Sequence, residues 1–173
     1  NTGYGRARWH FYDVLPDSTG NMGMFTMGNE PSFHIPYLYN YFGEPWKTQK
    51  LVRKIMEAWF RNDLMGMCGD EDGGGMSAFA VFSSMGFYPV TPGLPRYDWG
   101  SPVFSKVAIH LENGKTFTLD APAASKDAKY VRSIRLDGRP TASQWLDHAD
   151  IVRGAHVEVE MSDRPLRGPR EVR

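Results

Sequence analysis

Three adjacent carboxylates, Asp70, Glu71 and Asp72, run into three glycines, Gly73, Gly74 and Gly75, and then into the apolar stretch 76–87. Like charges at this spacing repel, so either solvent dissipates the repulsion or a site uses it. A solvated loop is the plain reading, but this loop feeds directly into a helix-like segment with no polar face. An EF-hand calcium loop would put Asp70, Asp72, Gly74 and Gly75 at its first, third, fifth and sixth positions. Its twelfth would then be Val81 instead of glutamate, and the flanking helices and loop length do not match. The third reading is a catalytic carboxylate. The glycines clear side chains from the approach, and a helix N-terminus behind them favours a negative charge, which suits a base or nucleophile. Asp70 and Asp72 alternate in an extended loop and can face one side, one acting and one orienting it.

A second polar group lies at "GNEPS" (28–32), where Asn29 and Glu30 precede Pro31, a residue suited to a first helical turn. Helix capping is the structural alternative for both. His34 follows one turn later on a face shared with Tyr37 and Tyr41, as a ligand or as a satisfied core histidine. Trp46 and Trp59 read as packing, and His10, His110, His148 and His156 fit no cluster. The sequence holds no serine–histidine–aspartate order, phosphate-cradling lysine or HExxH pair.

The segments that must position these residues follow from periodicity. "HIPYLYNYF" (34–42) is apolar nearly all round. "WKTQKLVRKIMEAWF" (46–60) repeats Leu51, Ile55, Trp59 and Val52, Met56, Phe60 in steps of four, with Lys50, Arg53, Lys54 and Glu57 opposite. "MSAFAVFSSMGF" (76–87) is apolar all round again. Buried, half-exposed, buried is the order of an α/α toroid, with 34–42 and 76–86 as inner neighbours and 46–61 outside. Short connections make consecutive helices antiparallel, so the first and third are parallel and both acidic loops reach the same mouth.

After Pro89–Ser101 the pattern turns to strands: 106–111 and 116–119 about a hairpin at Asn113-Gly114, then 130–136 and 156–161. The expected class is α+β: part of an (α/α)6 barrel over 1–100, a small antiparallel β-sheet or sandwich over 101–163, and a basic tail over 164–173.

The chain has 173 residues, 41% hydrophobic, enough for a real core. Lysine plus arginine and aspartate plus glutamate stand at 20 each, which gives no electrostatic footprint for nucleic acid or a membrane face. Neither is expected as a partner. No stretch reaches the length of a spanning helix and no signal-peptide pattern is present. The lone Cys68 excludes an internal disulfide and reads as a buried thiol. The abrupt start, without an initiator methionine, suggests a piece of something longer.

Three stretches, "GNEPSFHIPYLYNYFGEPWKTQKLVRKIM", "GDEDGGGMSAFAVFSSMGFYPVTPG" and "GSPVFSKVAIHLENGKTF", resemble in order and spacing the C-terminal part of glycoside hydrolase family 92. The resemblance runs from about Gly20 to Met161. It implies a calcium-dependent, inverting exo-α-mannosidase built from a β-sandwich and an (α/α)6 barrel, acting on mannose-terminated glycans. By resemblance Asp72 is the general base and Asp70 its helper, while Asn29, Glu30 and His34 belong to the sugar pocket. Asn29 and Glu30 are the candidates to hold Ca2+, which would grip the mannose cis-diol. Many relatives carry histidine where this chain has Phe33, and cysteine and glutamine where it has Gly73 and Gly75, which predicts a roomier loop and leaves the linkage open. The family's general-acid glutamate lies upstream of anything present here, so the missing N-terminal portion of the enzyme is the expected partner. The resemblance implies a secreted, periplasmic or cell-surface bacterial protein. A non-catalytic carbohydrate-binding or structural module of the same fold is the alternative.

Overall fold

The computed structural model describes residues 25, 27–64, 66–69 and 71–167. Asp70, His10 and the end of the basic tail lie outside them.

The helical part departs from expectation at its first element. Residues 34–42 do not form an α-helix: a short 3-10 turn at Glu30–Ser32 is followed by a 3-10 helix over Ile35–Asn40. Tyr37 N–H bonds the His34 carbonyl and Tyr41 N–H that of Leu38, both at 3.0 Å. With three residues per turn, only the side carrying Pro36, Tyr37 and Asn40 is buried. Ile35, Leu38, Tyr39, Tyr41 and Phe42 are exposed, so an apolar composition all round does not mean burial all round here.

Helix α1, Pro45–Trp59, matches the amphipathic pattern with Lys50, Lys54 and Glu57 outward, but Arg53, expected with them, is half-buried and donates to the Pro102 carbonyl at 2.6 Å. Its buried face adds Thr48 and Gln49 to Val52 and Ile55. The Gln49 Oε1 accepts from the Val131 N–H at 3.1 Å, tying the helix to a strand 82 positions away. Helix α2, Gly75–Met85, buries Met76, Phe79 and Ser83 and leaves Val81 exposed. Contacts run in the same order along both inner segments. Glu30 meets Gly75, the Phe33 and Phe79 rings lie 4.9 Å apart, and Tyr37 Oη bonds Ser83 Oγ at 3.0 Å. The two segments therefore lie side by side in the same direction.

The strands are β1 (Phe87–Tyr88), β2 (Arg96–Trp99), β3 (Lys106–His110), β4 (Thr116–Asp120), β5 (Tyr130–Leu136), β6 (Arg139–Thr141), β7 (Trp145–Asp147) and β8 (His156–Ser162). A short helix α3, His148–Val152, precedes β8. Strands begin ahead of residue 101, and the antiparallel sheet β1-β2-β7 joins residues from both sides of that expected boundary. The other sheet, β3-β4-β8-β5-β6, is antiparallel except where β4 pairs β8 in parallel, Leu119 opposite Val157. The Asn113-Gly114 hairpin is one residue longer than expected: Gly114 N–H bonds the Leu111 carbonyl at 3.0 Å, giving a three-residue loop with glycine in the left-handed position.

One core fills the sheets around Phe87, Trp99, Phe117, Leu119, Ile134 and Val157. A second joins Met27, Phe33, Tyr37, Val52, Ile55, Met76 and Phe79 under the helices. Tyr88 stacks on Tyr37 at 5.4 Å and meets the Phe82 ring at 6.4 Å, and Phe82 in turn meets Phe87. The two cores are locked together there.

Candidate active site

The site is built at the N-terminus of α2. The first N–H groups of a helix have no partner within it. Here residues 71 and 72 supply them all: Gly74 N–H donates to Glu71 Oε2 at 2.6 Å and Ser77 N–H to Glu71 Oε1 at 3.1 Å. Gly75 N–H donates to the Asp72 carbonyl and Met76 N–H to the Glu71 carbonyl, each at 3.2 Å. These bonds require a sharp reversal, and Asp72, Gly73 and Gly74 take φ of 47°, 61° and 101°. Glycine adopts such values without a Cβ clash; Asp72 does so at a cost. Hydrogen bonds from the Ser77 side chain and backbone, and from Gly74, hold the Glu71 carboxyl below the usual carboxylate range.

The triplet is thereby divided. Glu71 is committed to capping. The Asp72 side chain is exposed, and among the described residues none hydrogen-bonds it. Nothing at the sequence level separates these two neighbours, because the Ser/Thr-x-x-Glu order of a capping box is absent here.

The second acidic loop abuts the first. A side chain on Gly69 would collide with the Gly28 backbone, so the two loops touch main chain to main chain. One position on, Asn29 N-caps the 3-10 turn through its carbonyl, which accepts from Ser32 N–H at 3.0 Å, while its side chain makes no capping bond. Glu30 is half-buried against α2: a Cβ on Gly75 would lie 3.1 Å from Glu30 Cγ and 3.8 Å from Phe33 Cε2. The Tyr88 phenol is pushed up to about 12, first by burial and then by the charge of Glu30. Glu30 and the loop carrying Asp72 thus stand at the same end of the helical layer.

Two expectations need correction. The loop is roomier only at Gly73, around which nothing lies within 4 Å; beside Gly75 the space is filled by Glu30 and by Phe33, itself buried against Phe79. His34 begins the row that continues through Tyr37 and Asn40 at three residues per turn, but it lies at the open end of that row and is exposed where Tyr37 is fully buried; Tyr41, one residue off the row, is exposed as well. Cys68, on the approach to the loop, is half-buried, and burial pushes its thiol up. Among the described residues no group of three or more His, Cys, Asp or Glu is placed to hold a metal ion.

The arrangement offers an exposed carboxylate at a helix N-terminus, a second carboxylate, an amide and an imidazole within two touching loops. That set can accept a proton from water and hydrogen-bond a polyol. The model of the glycosyl hydrolase family 92 catalytic domain matches residues 5–163. The chain belongs to glycosyl hydrolase family 92. It is 32% identical over 154 residues to an uncharacterized secreted glycosidase of Arthroderma benhamiae, covering 86% of this chain and 19% of that protein. Among solved family 92 structures, an α-mannosidase from Bacteroides thetaiotaomicron in complex with mannoimidazole superposes with a TM-score of 0.82 at 36% identity, over 87% of this chain and 20% of that one. A family 92 inverting mannosidase from the same organism gives 0.78 at 40% identity, over 95% and 22%. The chain spans about a fifth of the length of these family 92 relatives.

Proposed function

We propose that this chain forms the C-terminal part of an inverting, calcium-dependent exo-α-mannosidase that removes terminal α-mannosides from glycans, with Asp72 as general base. The observation that carries this reading is the division of labour at the α2 N-terminus. Glu71 satisfies the helix while the neighbouring Asp72 carboxylate stays exposed, beside the loop of Asn29 and Glu30. The solved family 92 relatives described as α-mannosidases support the substrate class.

In this mechanism Asp72 takes a proton from a water molecule as that water attacks the anomeric carbon from the face opposite the leaving oxygen. Asp70 helps to hold the water. Inversion requires an acid across the sugar, its carboxyl roughly 6.5–9.5 Å from that of the base. Glu30 stands at the same mouth as Asp72, so the acid comes from another part of the enzyme, outside this chain. Asn29, Glu30 and His34 hold the sugar. The oxygens of Asn29 and Glu30 have the hardness calcium prefers but number far fewer than its usual 6–8 ligands, so the remainder would come from substrate, water and the rest of the enzyme. When bound, the ion would grip the mannose cis-diol. Residues 35–40, α1 and α2 are then members of an (α/α)6 barrel completed by the rest of the enzyme. The relative named as secreted supports export to a secreted, periplasmic or cell-surface location; among the described residues no helix is long and apolar enough to cross a membrane.

The test is proton NMR of the whole enzyme acting on an α-mannoside, with and without a chelator. β-Mannose appears first, release stops on chelation, and calcium restores it. α-Mannose as the first product contradicts inversion; full activity after exhaustive chelation removes calcium from the reading.

A further inference from the structure

We infer that Glu71 is a positioning residue for catalysis, whose carboxylate fixes the direction of the Asp72 side chain by clamping the reversal on which Asp72 sits. The inference rests on the reading of Asp72 as general base. Asp72 opens a run of three left-handed residues, and its own φ of 47° is one that a residue with a Cβ resists. The Glu71 carboxylate spans that run, with Oε2 on Gly74 N–H at 2.6 Å and Oε1 on Ser77 N–H at 3.1 Å. Its carbonyl adds a third tie at Met76. Both oxygens are therefore bound to helix donors, one at the last residue of the turn that aims Asp72 and one three residues beyond it.

Capping a helix does not by itself require a group that uses both carboxylate oxygens across three residues. Doing so from the position next to Asp72 couples the helix end to the proposed base. The clamp also keeps the Glu71 charge on the helix N-terminus, away from the water that Asp72 is to activate. Glu71 is exposed and makes no core contact, so losing the clamp should spare the fold and cost the reaction. Misplacing a reacting group by about 1 Å costs on the order of 10²-fold in rate. Because Glu71 is tied to backbone and not directed at the sugar, the loss should fall on kcat, with KM little changed.

The experiment uses the whole enzyme and an aryl α-mannoside with a good leaving group, comparing Glu71→Ala, Glu71→Gln and Asp72→Ala with and without azide. Thermal melts confirm folding. Azide needs no base: in Asp72→Ala its nitrogen bonds the anomeric carbon as the bond to the aryloxide breaks, giving a β-mannosyl azide and restoring turnover. Glu71→Ala is expected to lose about 10–100-fold in kcat, with KM within about twofold and no azide rescue, since Asp72 is still present. Glu71→Gln, which keeps one acceptor oxygen, recovers part of the loss. Wild-type kcat in Glu71→Ala, or a loss confined to KM, overturns the positioning role and leaves Asp72 untouched. Azide rescue of Glu71→Ala matching that of Asp72→Ala makes Glu71 itself the base and overturns the inference. Normal turnover by Asp72→Ala without azide overturns both readings.

Discussion

Glu71 and Asp72 are neighbours of like charge whose surroundings give them opposite duties, and pH separates them further. Hydrogen bonds depress the folded-state pKa of Glu71 below its ordinary value. A depressed carboxylate contributes stability that is present above its unfolded value, about 4.3, and is lost as pH falls through the lower folded value. The difference in thermal midpoint between the wild-type enzyme and Glu71→Gln should therefore be full near neutrality and close as pH drops below about 4. A gap that persists unchanged in acid contradicts the charge-assisted cap. Much at this scale was legible in the sequence, because carboxylates beside glycines ahead of an apolar run identify a helix N-terminus that carries charge. Which carboxylate does the capping was not legible, since it depends on three left-handed residues that composition does not specify.

Among the elements, α1 was the most legible, because a charged stripe opposite an apolar one admits a single orientation. The 35–40 segment was the least, since an apolar run with Pro36 near its start is compatible with either helix type and the exposure of its outer faces is a tertiary outcome. The strands β1 and β2 have 2 and 4 residues, too few for alternation to show. The parallel pairing of β4 with β8 follows from inserting β8 between β4 and β5, a long-range choice. Gln49 of α1 is a polar residue that periodicity does not assign to the core, yet it is 1% exposed and accepts from a buried strand amide. Gln49→Leu keeps the volume but orphans the Val131 N–H, and should destabilise by about 1–3 kcal/mol in denaturant unfolding. A change below about 0.5 kcal/mol would show that the amide finds another partner.

At the scale of the molecule, exposed apolar surface is the dominant feature. Phe42 is 76% exposed, and a groove of about 600 Å3 beside α2 is lined by Met56, Phe60, Leu64, Val81 and Phe104 among others. Surface of this kind calls for cover, and the chain spans about a fifth of its relatives' length. Alone, it should self-associate in light scattering and show no turnover of an aryl α-mannoside with calcium; turnover by the isolated chain would mean that the acid lies within it. The account turns, finally, on Asp72. The most direct measurement is kcat of the whole enzyme carrying Asp72→Asn, which removes the proton acceptor and keeps the shape. The expected result is a loss of about 10²–10⁴-fold with an unchanged thermal midpoint, and near-normal turnover by the pure, folded variant would contradict the assignment of the base.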